Sequence, residues 1–160
     1  MLLFLKAACG RLQHPTINWE PMMKLNPYLT FNGDARAAFE FYAKVLRGQI
    51  MMMLTNGESP MRDHVPASAH QRIAHTRLVI GDQVLMASDG PAGETCDTRG
   101  MMVSLMVDSP AEAERIYSEL SAGGKVTMPM AETFWAQRFG MFTDKFGIPW
   151  MVNCEKPMAA

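Results

Sequence analysis

The sequence predicts an α+β fold built from two tandem βαβββ modules, and three observations predict it. A strand and an alanine-rich helix ending in Tyr42, Leu46 and Gly48 return 75 positions later as a strand and a helix carrying Tyr117, Leu120 and Gly123. Laying one half on the other pairs Ala38 with Ala113 and Tyr42 with Tyr117, and in each half three short strand-like runs follow the helix. The chain has 160 residues, a one-domain length that buries roughly two-thirds of the surface its unfolded form exposes. Two small curved sheets of this kind can face one another across a cleft, and a cleft is where a small molecule binds.

Residues 1–22 show neither clean periodicity nor a place in the duplication and are read as a dispensable N-terminal extension. The first module is expected at 23–90, a linker at 91–100, and the second module with its tail at 101–160. In the first module, residues 26–32 alternate as a strand. Gly33-Asp34 then opens a helix with apolar residues at Ala35, Ala38, Phe39, Tyr42, Val45 and Leu46, and Gly48 is expected to stop it. A methionine-rich strand follows at 49–54, then a polar loop at 55–71, then a hairpin of strands at 72–80 and 83–88 turning at Gly81-Asp82. So long a loop is expected to be a mobile flap or a cover for the cleft.

The second module opens with a strand at 101–107. Ser109-Pro110-Ala111-Glu112 is a capping-box sequence with proline at the first helical position. Ala113, Ile116, Tyr117 and Leu120 form the buried stripe of the helix, and Gly123-Gly124 end it. Strands at 125–130, 139–143 and 150–154 complete the module, with Asp144 and Gly147 read as turn residues. Measured between the turn glycines Gly81 and Gly147 the repeat offset falls to 66, so the loop of the first module is nine residues longer.

A formal charge of −1 and the absence of a Lys/Arg run argue against nucleic acid or an anionic membrane as partner. Cys9, Cys96 and Cys154 are odd in number and contain no C-x-x-C, so neither a disulfide framework nor a zinc knuckle is indicated and a reducing cytoplasm is expected. The apolar run Leu2 to Leu5 ends at Lys6, short of the ~7–15 apolar residues of a secretory core. No G-x-G-x-x-G, G-x-x-x-x-G-K-[ST] or G-x-S-x-G occurs, which leaves dinucleotide, P-loop and serine-hydrolase sites without support.

Glu132-Thr133-Phe134-Trp135 leads to Gly140, and Asp144-Lys145-Phe146-Gly147-Ile148-Pro149-Trp150 follows. These stretches resemble the D/E-x-F-W-x-x-x-x-G and D-P-F-G-x-x-W patterns of the PhnB-like branch of the vicinal oxygen chelate superfamily. That superfamily includes glyoxalase I, extradiol dioxygenases, fosfomycin-resistance enzymes and bleomycin-binding proteins. The resemblance runs over 25–156 and includes Pro27-Tyr28-Leu29 and Ile73-Ala74-His75. It implies a glyoxalase-like cleft between the modules and a homodimer, but no single chemistry. Sequences of the branch often carry a ubiquinone-pathway methyltransferase label, yet no glycine-rich cofactor loop follows the first strand here.

Enzymes of the superfamily usually hold a divalent metal with His, Gln or Glu from the first and fourth strands of each module. Those positions fall here near Pro27 or Tyr28, at Leu85 or Met86, near Met102 and near Met151, and a one-residue slip offers Ser104 or Asn153. No tight metal site and no cofactor are therefore expected, with Mn, Fe, Ni or Zn on an unusual ligand set as the alternative.

The cleft is expected instead to be lined with methionine, a flexible and polarizable side chain, at Met86, Met102 and Met151, with Tyr28, Ser104 and Asn153 beside them. Core filling by methionine is the other reading. His75 shares a strand face with Arg77 and is either a hydrogen-bonded structural residue or the general base. Trp135 would stack on a planar ligand, Arg138 would bind a carboxylate or phosphonate-like oxygen, and Glu132 would orient them or act as a base; alternatively the three form a structural corner. His64 and His70 read as solvated. The expected function is binding of a small, partly apolar molecule. A glyoxalase-type lyase, isomerase or dioxygenase using His75 and Glu132 is the alternative, and a scaffold with a protein interface is the third.

Overall fold

The computed structural model describes residues 24–93 and 100–157, so the expected extension and most of the linker lie outside the described residues. The first module comprises β1 (Tyr28–Phe31), α1 (Ala35–Val45), β2 (Gln49–Thr55), β3 (Ile73–Ile80) and β4 (Gln83–Asp89). The second comprises β5 (Val103–Met106), α2 (Pro110–Ser121), β6 (Lys125–Ala131), β7 (Ala136–Thr143) and β8 (Pro149–Glu155). Each module makes a four-stranded sheet, ordered β1-β4-β3-β2 and β5-β8-β7-β6, in which the first and fourth strands run parallel and the other pairs are antiparallel. The predicted α+β architecture of two βαβββ units is present. No helix among the described residues is long and apolar enough to cross a membrane.

Each helix covers one face of its sheet, because strand alternation sends every second side chain to that side. Leu78, Leu85 and Ala87 face α1, while Phe142, Trp150 and Val152 face α2, and all six are buried. These two helix-covered sides merge into one continuous core, with Phe39 and Tyr42 of α1 in the same cluster as Leu120 and Trp150. The faces away from the helices stay uncovered.

Asp144 joins the modules. The Tyr42 hydroxyl donates to its Oδ2 at 2.5 Å and Trp150 Nε1 donates to the same oxygen at 2.9 Å. Its Oδ1 accepts the backbone N–H groups of Phe146 and Ile148, both at 2.9 Å. The side chains of Tyr42 and Trp150 are fully buried and their rings meet edge to face, 5.2 Å apart. Asp144 is thus a turn residue, as its sequence context implies, and also the bridge between halves. Arg115 of α2 adds a second crossing by donating to the Val45 carbonyl of α1 at 3.0 Å. Tyr117, the repeat partner of Tyr42, stays in its own module: its hydroxyl donates to the Met128 carbonyl at 3.1 Å.

The ends of α1 are shaped by the strands around it. Asp34 makes no side-chain cap; Asp89 at the end of β4 accepts from the N–H groups of Gly33 (2.8 Å), Ala35 (3.1 Å) and Ile73 (2.7 Å) instead. A carboxylate there satisfies orphan donors and suits the positive end of the helix dipole. At the other end the left-handed residue is Arg47, at φ 52°, and not Gly48. Gly48 is needed for a different reason, since a Cβ on it would lie 2.8 Å from the Val79 carbonyl oxygen. Gly123 takes the positive φ after α2, and a Cβ on Gly124 would lie 2.2 Å from the Thr143 oxygen. Gly48 is therefore the structural counterpart of Gly124, one residue later than the sequence alignment of the repeats pairs it.

The loop between β2 and β3 is tied to itself through three short turns, Asn56–Glu58, Arg62–His64 and Ala67–Ala69. Thr55 and Glu58 form a complete capping box, and Asn56 N and Gly57 N bond the carbonyls of Arg72 and His70, each at 2.9 Å. His70 also bonds the Arg62 carbonyl at 3.1 Å and is not simply solvated. Before α2 only half of the expected box forms. Ser109 accepts from Glu112 N at 3.3 Å, while the Glu112 carboxylate turns to Arg115 at 2.6 Å.

Burial, and then the charge of Asp144, push the Tyr42 phenol well above the ordinary tyrosine value. The unfolded phenol ionises first, so this contribution is complete below about pH 10 and is lost as pH rises beyond it. Tm should fall more steeply above about pH 10 in the wild type than in Y42F. Removing the carboxylate with D144A strands two buried donors and two turn N–H groups, an expected loss of about 3–5 kcal/mol in urea unfolding. Y42F should cost about 2 kcal/mol alone and much less in a D144A background; additive losses would deny the bridge.

Candidate functional site

On the open face of the first sheet, β3 presents His75, Arg77 and Val79, and β4 presents Val84, Met86 and Ser88. Tyr28 and Thr30 flank them on β1, and Met52 and Leu54 on β2. Strand register places Tyr28, Met86, Arg77 and Met52 in one row across all four strands. Tyr28 and His75 form a pair, with the phenol oxygen 3.2 Å from Nδ1 and the rings stacked at 5.8 Å. Arg77 is exposed and ion-pairs with no carboxylate among the described residues. Ile73, two residues before His75, leaves this face and is buried in the core, where a register irregularity of β2 against β3 at Leu54/Thr55 meets it.

The open face of the second sheet is more apolar. One row runs Ser104, Met151, Met141 and Met128; the next runs Met106, Asn153, Phe139 and Ala131. Asn153 is only 8% exposed, its Nδ2 donates to the Met106 sulfur at 3.2 Å, and its Oδ1 is buried without a partner among the described residues. A thioether only accepts, so the amide must turn its NH2 toward Met106 and leave its oxygen free. Trp135 extends this face, standing edge-on to Phe139 at 5.5 Å and to the exposed Phe134 at 4.5 Å.

Between β1 and β5, the free edges of the two sheets, lies a mainly apolar groove of about 750 Å³. Tyr28, Met102 and Ser104 line it, with Leu29, Val103 and Ile148 among its walls. Three of the predicted ligand-binding residues therefore share one cavity. Tyr28 carries it toward His75, Arg77 and Met86, and Ser104 carries it toward Met151 and Asn153. A volume of this size suits a small organic ligand.

Two predicted residues stand elsewhere. Arg138 points to the helix side, where its Nε donates to Glu114 of α2 at 2.7 Å. Glu132 pairs with Lys156 at 2.7 Å, and that hydrogen bond holds its carboxyl below the usual range. His75 lies on β3 and Glu132 in the loop between β6 and β7 of the other module, so the two are not brought together within the chain. Phe139 and Met141 join this open face without having been expected there. Their signal was alternation on β7, which becomes readable only once the register against Met151 and Asn153 is known.

Residues 23–153 match the family described as 3-demethylubiquinone-9 3-methyltransferase. Protein YjdN of Escherichia coli is 33% identical over 142 residues, covering 84% of this chain and 97% of its own length. The crystal structure of PA1353 from Pseudomonas aeruginosa is 48% identical, with a TM-score of 0.77, covering 84% of this chain and 99% of that one. A PhnB protein from Bacillus cereus, at 21% identity and a TM-score of 0.70, covers 82% and 99%. A glyoxylase/bleomycin resistance protein/dioxygenase domain from Frankia, at 16% identity and 0.62, covers 86% and 94%. The last two show the fold alone.

The metal implied by the vicinal oxygen chelate resemblance can be tested against the donors present. The corresponding strand positions carry Tyr28, Met86, Met102 or Ser104, and Met151 or Asn153. Phenol, thioether, hydroxyl and amide groups do not fit a site for Mn, Fe, Ni or Zn, which take imidazole and carboxylate. Among the described residues no group of three or more His, Cys, Asp and Glu gathers. Protein purified without chelators and offered each of these metals should carry well under one equivalent per chain by elemental analysis. Near-stoichiometric metal that disappears in H75A would overturn this.

Proposed function

We propose, from the premise that the chain belongs to the PhnB-like family of the glyoxalase/bleomycin resistance superfamily, that it binds a small, partly apolar molecule between open sheet faces without a tightly held metal. One observation carries the reading: both uncovered faces are apolar surfaces with a few placed polar groups, and large side chains stay exposed on them. Met52 is 50% exposed, Met106 58% and Trp135 42%. Contiguous exposed apolar surface of this kind marks a binding site or an interface. Methionine adapts its shape to varied ligands.

On this reading a second copy of the chain closes the uncovered faces over a ligand. In the proposed homodimer the first sheet of one protomer faces the second sheet of its partner, and the free β1 and β5 edges lie at the contact. A reducing cytoplasm suits the buried Cys154 thiol, which is unpaired among the described residues.

Methyl transfer, named in the description of the family, gains nothing from the geometry. The N–H groups at the turn from β1 into α1 that could cradle a cofactor are taken by Asp89. A second reading, a glyoxalase-type lyase or isomerase, has one observation in its favour: Tyr28 fixes the orientation of His75 on the open face, as a general base requires.

Screening a broad small-molecule library by thermal shift should yield ligands that raise Tm, and W135A should remove the shift without lowering the Tm of the free protein by more than a few degrees. Sedimentation equilibrium should give a dimer. A monomer, or a library without a single ligand, would sink the binding account.

A further inference from the structure

The first sheet differs from the second in charge, and the difference reaches the nature of the ligand. No Asp or Glu stands among the residues that its open face presents from β1, β2, β3 and β4. Arg77 sits at the centre of that face, exposed, between Met86 and Met52 in the ladder and without a carboxylate partner among the described residues. Arg138, which the sequence offers equally well for anion binding, is already neutralised by Glu114 at 2.7 Å.

We propose that the molecule bound on this face is an organic anion: a carboxylate on an apolar body, held by the Arg77 guanidinium beside the Tyr28–His75 pair, with the body lying on Met52 and Met86. This rests on the binding reading above and narrows it. The planar fork of arginine matches a carboxylate with two parallel hydrogen bonds. The Tyr28–His75 pair supplies a further donor in either neutral tautomer. If the phenol donates to Nδ1, Nε2 keeps a proton; if Nδ1 donates to the phenol oxygen, the phenol proton is left over. Thioether neighbours exclude water and strengthen the charge interaction once a ligand covers them. A cationic ligand would meet Arg77 with no acid on the face to offset it.

The test uses the full chain at low ionic strength, where screening is weakest. Phenylacetate and octanoate are titrated by calorimetry against their own primary amides, with inorganic phosphate as a separate probe. The acids should bind about tenfold or more tightly than the amides. R77M should bring each acid down to the affinity of its amide, R77K should keep part of the preference, and both variants should melt within a few degrees of wild type. Equal binding of acid and amide, a preference that survives R77M, or phosphate binding as well as the acids overturns the proposal. Library binders that are neutral or cationic overturn it too while leaving the binding reading standing, whereas a library with no binder at all removes that reading itself.

Discussion

Asp144 gathers a phenol, an indole and two backbone amides onto one buried carboxylate, and the arrangement of the whole chain follows from it. A buried carboxylate is costly unless its lone pairs are taken. Taking them requires Tyr42 from the first module and Trp150 from the second to reach the same point. That requirement fixes the halves against each other through their helix-covered sides. It also decides which surfaces are left over, because a sheet with one face in the common core has only its other face to offer. The candidate site is in this sense a by-product of how the core is closed.

The two open faces are alike in apolar character and unlike in polar equipment. The first carries Arg77 and the Tyr28–His75 pair; the second carries Asn153, whose amide NH2 donates to Met106 while its buried oxygen has no partner among the described residues, and the aromatic group of Phe134, Trp135 and Phe139. The groove between β1 and β5 connects them at Tyr28 and Ser104.

Duplication gave both modules the same plan and then let equivalent residues diverge. Tyr42 crosses to the other module while Tyr117 bonds within its own. Asp89 satisfies three amides around the start of α1, and Asp144 does comparable work at a turn of the second module. The close-approach glycines, Gly48 and Gly124, keep the same task, because a strand carbonyl leaves no room for a side chain at either position.

The element order, the two helices and the repeat were legible in the sequence, since period 3.6 and period 2 patterns are local properties that hydrophobic spacing records. So was the grouping of His75 with Arg77, and of Ser104 with Met102 along the same stretch, because neighbours on one strand need no tertiary knowledge. Other features were decided by distant partners. Whether Arg138 reaches a ligand or Glu114, and whether Glu132 meets His75 or Lys156, depends on which helix and which chain end pack nearby. The role of Asp144 beyond its turn depends on a tyrosine 102 positions away. The sequence by itself determined two βαβββ units and their apolar stripes; the tertiary structure alone decided that those units share one core through their helix-covered sides, because that choice rests on long-range hydrogen bonds which leave no periodic trace.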